Sequence, residues 1–222
     1  MGLFPKKQKQ KTDKELLMTQ EVPFSVEEAY KSLRTNIVFS LPEEKCKLIE
    51  ITSAGQSEGK SVTAINLAIA LAKNGAKVIV LDCDLRLPTI AKKLGIPQKP
   101  GLTNLLFGLN SAQDVIYHHE VGIDVIPAGE LPPNPSETLG SSRMSITLDY
   151  LKNLYDYVIL DAPPVCVVTD AAVLASKVSG VALVVRQGRT GKEGVDAAIS
   201  KLTIANGNIL GFILTDSAEE NA

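Results

Sequence analysis

Three short stretches hold residues whose types and spacing could do chemistry. The first is SAGQSEGKSV at 53–62. A small residue, Ala54, is followed by four of any kind (Gly55, Gln56, Ser57 and Glu58) and then by Gly59, Lys60, Ser61 and Val62. Small residues let backbone N–H groups curl around an anion. The positive N-terminus of a following helix favours phosphate. A lysine at position 60 reaches β and γ oxygens, and a serine at 61 can ligate Mg²⁺. The second stretch, YDYVILDAPP at 155–164, delivers Asp161 from an apolar strand to the end where such a loop would sit. A carboxylate there holds Mg²⁺ directly or through water. The two together predict binding of ATP with Mg²⁺ as cofactor.

The third stretch, LDCDLRLP at 81–88, adds Asp82, Asp84 and Arg86. In an extended chain, residues two apart point the same way. Two like charges side by side need a cation, for which Mg²⁺ and Arg86 are both available. One carboxylate would then remain to accept a proton from an attacking hydroxyl or to position a water. The other reading of the pair is a capping or turn arrangement.

These side chains need a scaffold that brings strand ends together. Short apolar runs lie at 47–53, 77–82, 123–128, 155–161, 180–186 and 209–215, with helical patterns at 60–74, 143–154, 170–178 and 192–205. Strands apolar on both faces and separated by helices require a mainly parallel sheet covered on both sides. The expected fold is a doubly wound α/β domain of the P-loop NTPase type, over 25–222, after a basic flexible arm at 1–24. In such a sheet the carboxyl ends of the strands line the ligand crevice. The segment PAGELPPNPSE at 127–137 reads as an ordered loop near the site. Residues 25–40 read as a helix, with Ser25 and Glu28 forming a capping box. Val26, Tyr30, Leu33 and Ile37 make its apolar stripe, and Glu28, Lys31 and Arg34 a charged one.

Composition excludes several classes. The formal net charge is −2, so no overall basic field draws the chain to nucleic acid. Cys46, Cys83 and Cys166 are scattered, which argues against a disulfide framework or a zinc site and for a reducing cytosol. They read as small buried hydrophobes, with Cys83 the one to matter if oxidised. No apolar run has membrane-helix length. Residues 1–14 carry five lysines against one aspartate, a solvated arm or a weak attraction to an anionic membrane through Leu3 and Phe4. His118 and His119 read as a helix end. Pro163 and Pro164 would stiffen the exit of the strand that carries Asp161. Arg186 and Arg189 flank Gly188 at a strand end, where Arg186 could meet nucleotide phosphate.

Taken together, the loop, LDCDLRLP and VILDAPP resemble the bacterial tyrosine kinases that govern capsule and exopolysaccharide assembly. EEAYKSLRTNI (27–37), PGLTNLLFG (100–108), IPAGELPPNPSETLGSSRM (126–144) and VVRQGRTG (184–191) resemble that family too. The resemblance implies that Lys60 and Ser61 bind ATP·Mg²⁺. It also implies that Asp84 and Asp161 complete the metal environment and that Asp82 takes the proton of the attacking tyrosine. A protein tyrosine would be the substrate. A separate membrane-anchored chain-length protein would act as activator, holding the cytoplasmic kinase peripherally at the inner membrane face. In the family an E-x-x-R-x-x-R helix builds a homo-oligomeric ring, and here Glu28, Lys31 and Arg34 occupy it. Lysine keeps the charge but lacks the bidentate fork of arginine.

Two departures stand out. The family's terminal tyrosine cluster is not among the residues of this sequence, whose tyrosines are Tyr30, Tyr117, Tyr150, Tyr155 and Tyr157, so either that tail lies beyond it or the protein does not autophosphorylate in the usual way. Thr215 and Asp216 stand where many members place a base-binding asparagine. A second function therefore stays open, a nucleotide-switched assembly module of the partition and cell-division superfamily with little kinase activity.

Overall fold

The computed structural model describes residues 17–41 and 45–216. Most of the basic arm, with Leu3 and Phe4, and the tail after Asp216 lie outside the described residues. In chain order the elements are α1 (Phe24–Ser40), β1 (Lys47–Ser53), α2 (Lys60–Ala72), β2 (Val78–Asp82), α3 (Ile90–Leu94), α4 (Leu102–Leu106) and α5 (Ala112–Val115). They continue with β3 (Tyr117–His119), β4 (Ile123–Ile126), α6 (Pro135–Gly140), α7 (Ser142–Lys152), β5 (Tyr157–Asp161), α8 (Asp170–Ala175), β6 (Gly180–Arg186), α9 (Lys192–Ile204) and β7 (Ile209–Thr215).

The strands form one seven-stranded sheet in the order β3-β4-β2-β5-β1-β6-β7. Neighbours are parallel except β3 and β4. β1 is buried at every residue because β5 and β6 flank it and helices cover both its faces. From β1 the chain crosses to β2 on one side and later reaches β6 on the other. Strand order thus reverses at β1 and opens a crevice at its carboxyl end.

Alternation along each strand divides the core in two. Leu48, Leu81, Leu160 and Leu183 pack with Leu148 of α7, Leu174 of α8 and Leu202 of α9. Ile49, Ile51, Val80, Ile159 and Val184 pack with Ile65 and Ile69 of α2 and Ile37 of α1. Both layers exclude water from large aliphatic side chains, each worth about 1.5–3 kcal/mol when fully buried. α2 is apolar nearly all round because it lies between the sheet and α1.

The doubly wound, mainly parallel expectation is met, and β1, β6 and β7 have the bounds read from the sequence. Three local expectations change. α1 starts at Phe24 with Pro23 at its N-cap and no side-chain cap, so the Ser25–Glu28 capping box does not form. Proline enters with φ −53° and ψ 144°, and its carbonyl accepts from Val26 N at 3.0 Å, which starts the helix without help from a side chain. His118 and His119 sit on an antiparallel edge strand, not a helix end, since Tyr117–His119 pairs with Ile123–Val125 across a tight turn. The 127–137 segment is only partly loop, because Pro135 stands at the first turn of α6.

Candidate active site

At the carboxyl end of β1 the backbone turns through two left-handed residues, Ser57 at φ 58° and Gly59 at φ 96°. Gly59 is the N-cap of α2, and its conformation favours a residue without Cβ. The turn leaves the first amides of α2 facing a cavity of about 220 Å³ lined by Gln56, Ser57, Gly59, Lys60, Ser61 and Val62. Gly55, Glu58 and Arg186, also expected to touch the nucleotide, do not line this cavity. They brace the loop, and Glu58 and Arg186 line an adjoining cavity instead. Glu58 Oε2 accepts from Gly55 N at 3.1 Å and its Oε1 from Thr190 Oγ1 at 2.7 Å. Thr215 Oγ1 donates to Glu58 O at 2.8 Å. Arg186 donates to Ser57 O at 2.7 Å and to Asp216 Oδ2 at 2.7 Å. Glu58 turns inward because donors three residues before it and on the β6–α9 connection satisfy its carboxylate more fully than the open side would.

Opposite the loop, β2 and β5 bring up the acidic residues. Asp82 and Asp161 are register partners in adjacent strands. Both Asp161 oxygens are buried and lack a hydrogen-bond partner. Burial pushes the Asp161 carboxyl up to about 6, against the pull of Lys60 and Ser61 beside it. Two unpartnered carboxylate oxygens next to a serine hydroxyl and a lysine suit a divalent cation bound between protein and phosphate oxygens. The described residues contain no cluster of three or more His, Cys, Asp or Glu that could hold a metal by itself.

Asp82 and Asp84 separate in space. The strand ends at Asp82, so the extended geometry that would align them stops there. Asp82 is fully buried and does not line the cavity. Its Oδ1 accepts from Asp84 N at 3.3 Å, and its Oδ2 from Thr89 N at 3.2 Å and Ile90 N at 3.1 Å. Burial, then the charge of Asp161, pushes its carboxyl well above the usual range. Asp84 does line the cavity, and its Oδ1 accepts from Leu87 N at 3.0 Å. The turn reading and the site reading therefore both apply, one to each residue more than the other. Arg86 is not the counter-ion of this pair. It makes a two-pronged contact with Asp170, at 2.8 and 3.0 Å, whose side chain is fully buried at the start of α8. Cys83 is fully buried among acidic neighbours, and burial raises its thiol well above the ordinary value, so it is protected from oxidation rather than poised for it.

Several participants escaped the sequence reading. Thr89 Oγ1 donates to Ser61 Oγ at 2.9 Å and so orients the candidate metal ligand. Asp170 holds Arg86, and Ser136 of the 127–137 segment donates to the same carboxylate. The threonine directly after LDCDLRLP was the only local hint to the first; nothing near Asp170 in sequence pointed to the second. A second cavity, about 500 Å³, adjoins the first at Gly59 and Val62 and reaches Arg186, Thr215 and Asp216. On α1, Lys31 donates to Glu28 at 2.8 Å, and Arg34 donates to Ala70 O at 3.2 Å on α2. His118 contacts Asp124 at 2.5 Å at the far edge of the sheet.

A family model described as an AAA domain matches residues 46–208. The chain is 38% identical to the tyrosine-protein kinase YwqD of Bacillus subtilis, over 84% of this chain and 79% of that protein. It is 37% identical to the tyrosine-protein kinase ptk of Acinetobacter johnsonii over 88% of this chain, a match that spans 27% of the longer protein. Among solved structures, the kinase domain of the Escherichia coli tyrosine kinase ETK superposes with a TM-score of 0.83 at 31% identity, covering 92% of this chain and 87% of that one. The chimerical protein CapA2B2 superposes with a TM-score of 0.84 at 34% identity, covering 92% and 90%.

Proposed function

The chain belongs to the bacterial tyrosine kinases of the P-loop class, and we propose that it transfers the γ-phosphate of ATP to tyrosine in capsular or exopolysaccharide synthesis. The observation that carries this reading is the unpartnered Asp161 carboxylate, buried beside Lys60 and Ser61, which themselves line the cavity together with Asp84.

Bound ATP·Mg²⁺ supplies the transferable phosphoryl group and a cation beside it. The loop amides and Lys60 receive the phosphate charge, and the turn at Gly59 aims the N-terminus of α2 at it. Ser61 and Asp161 are the residues that would hold the cation, which leaves Asp84 free of it. Ser61 is already oriented by Thr89. Phosphoryl transfer is chiefly positioning and charge neutralisation. The acceptor phenol, with a pKa near 10, needs a base within reach. Asp84 stands in the cavity and takes that role in this reading. Asp82 acts through the turn it holds, binding the amides of Asp84, Thr89 and Ile90. The nucleobase lies toward the second cavity and the end of β7.

The match spans about a quarter of the longer Acinetobacter relative. In this proposal a membrane-anchored partner activates the kinase at the inner face of the membrane, as the family resemblance implies. No helix among the described residues is long and apolar enough to cross a membrane. Self-association through Glu28, Lys31 and Arg34 of α1 completes the proposal.

The test is phosphotyrosine mapping of the purified chain with ATP, Mg²⁺ and a tyrosine-containing polypeptide. Lys60→Met is expected to be silent. Asp84→Asn should lower turnover by about 10²-fold or more while nucleotide affinity changes little. Unmodified tyrosines alongside ATP-dependent oligomerisation would instead establish the nucleotide-switched assembly module.

A further inference from the structure

Lys60 and Ser61 mark where phosphate would sit in the cavity, so an acceptor in line with the leaving group must reach it from another side. Two loops line the same cavity, and they leave adjacent strands side by side: 83–89 after β2 and 162–169 after β5. Each loop puts one aliphatic residue into the core and the next but one outside. Leu85 and Val165 are 1% exposed, whereas Leu87 is 63% and Val167 54% exposed. Both exposed residues line the same cavity as Lys60 and Asp84, with Pro163, Pro164 and Val168 beside them.

Neither exposed side chain sits on a loose segment. Leu87 N donates to Asp84 Oδ1 at 3.0 Å, and Val167 N donates to Pro164 O at 3.1 Å. Arg86 ties the first loop to Asp170, at the helix that follows the second. Holding two bare aliphatic groups in water at the mouth of a charged site is unfavourable unless something apolar covers them in use.

We propose that Leu87 and Val167 form an apolar lip that receives the phenol ring of the acceptor tyrosine and sets its hydroxyl toward Asp84, selecting a phenolic over an aliphatic hydroxyl. The proposal rests on the phosphoryl-transfer reading of this site and adds what decides the acceptor class. A seryl or threonyl side chain carries no ring to cover the lip, whereas tyrosine carries a ring and a hydroxyl together.

The test compares the wild-type chain with Leu87→Ser, Val167→Ser and the double variant, on a tyrosine polypeptide and its serine counterpart. The double variant should raise KM for the tyrosine substrate about tenfold, or about 1.4 kcal/mol, with kcat within about twofold. Leu87→Met with Val167→Ile should restore the wild-type KM. Independently of turnover, methyl resonances of Leu87 and Val167 should shift on titration with N-acetyltyrosinamide in the presence of a non-hydrolysable ATP analogue and Mg²⁺, and not with N-acetylserinamide. An unchanged KM, equal methyl shifts with both amides, or loss of self-association as the sole effect would overturn the lip while leaving the kinase reading intact. A wild-type chain that phosphorylates no tyrosine would overturn both.

Discussion

Asp161 concentrates the electrostatics of the site in one residue. Its carboxyl is fully buried, unpartnered and raised to about 6 from 3.8. A carboxyl whose pKa is higher folded than unfolded stabilises the fold when protonated. Its contribution is complete below about pH 4, is lost as pH rises through about 6, and stays lost above that. Thermal unfolding of the metal-free chain should therefore show a stability decrement between these values that Asp161→Asn removes. Cation binding needs the ionised form, so affinity for Mg²⁺ with nucleotide should fall as pH drops through about 6, as titration calorimetry across pH would read. A flat pH profile for both would remove Asp161 from the metal site. The neighbouring motif shows how far residue types alone can be followed. Asp82, Asp84 and Arg86 were recognisable as a functional set from their spacing. Their division of labour was not, because the strand ends between the two aspartates and the arginine's partner lies 84 residues away.

β1 shows the same limits at the level of an element. Its seven residues read as an interior strand from KLIEITS, and they are all buried. Yet the run carries Glu50, fully buried with neither carboxyl oxygen hydrogen-bonded, and burial raises that carboxyl well above its usual value. It lies on the face that Leu48 shares with Leu160 and Val181. A buried polar group without a partner costs roughly 1–3 kcal/mol. Glu50→Leu is accordingly expected to raise stability by about that amount at neutral pH, measured by denaturant unfolding, with nucleotide affinity unchanged. A drop in affinity would show instead that Glu50 takes part in shaping the loop at the end of its strand. The phosphate loop differs from the strand in the source of its order. Its motif was plain in the sequence, whereas its bracing draws on Thr190, Arg186 and Thr215 from three later segments.

For the molecule as a whole, the sheet leaves β3 and β7 as edges, and α1 lies over α2 with its charged stripe half-exposed. Lys31 pairs within its own helix and Arg34 donates to the carbonyl of Ala70, so a ring through these residues would have to exchange existing contacts for new ones. Such surface pairs are worth little individually and are screened by salt. Oligomers seen by sedimentation are expected to dissociate as salt rises from 50 to 500 mM (roughly a threefold shorter screening length) and in Lys31→Ala with Arg34→Ala. Oligomers indifferent to both would place the interface elsewhere. The alternation of apolar runs and helical patterns was enough to establish a covered parallel sheet, and the Gly59-Lys60-Ser61 turn was enough to mark a candidate phosphate loop, because both depend on local spacing. Strand order, the inward turn of Glu58, the burial of Asp82, the grip of Asp170 on Arg86 and the facing of Leu87 and Val167 came only with the folded chain. Those contacts join residues brought together by crossovers, and no local period in the sequence records which crossovers meet.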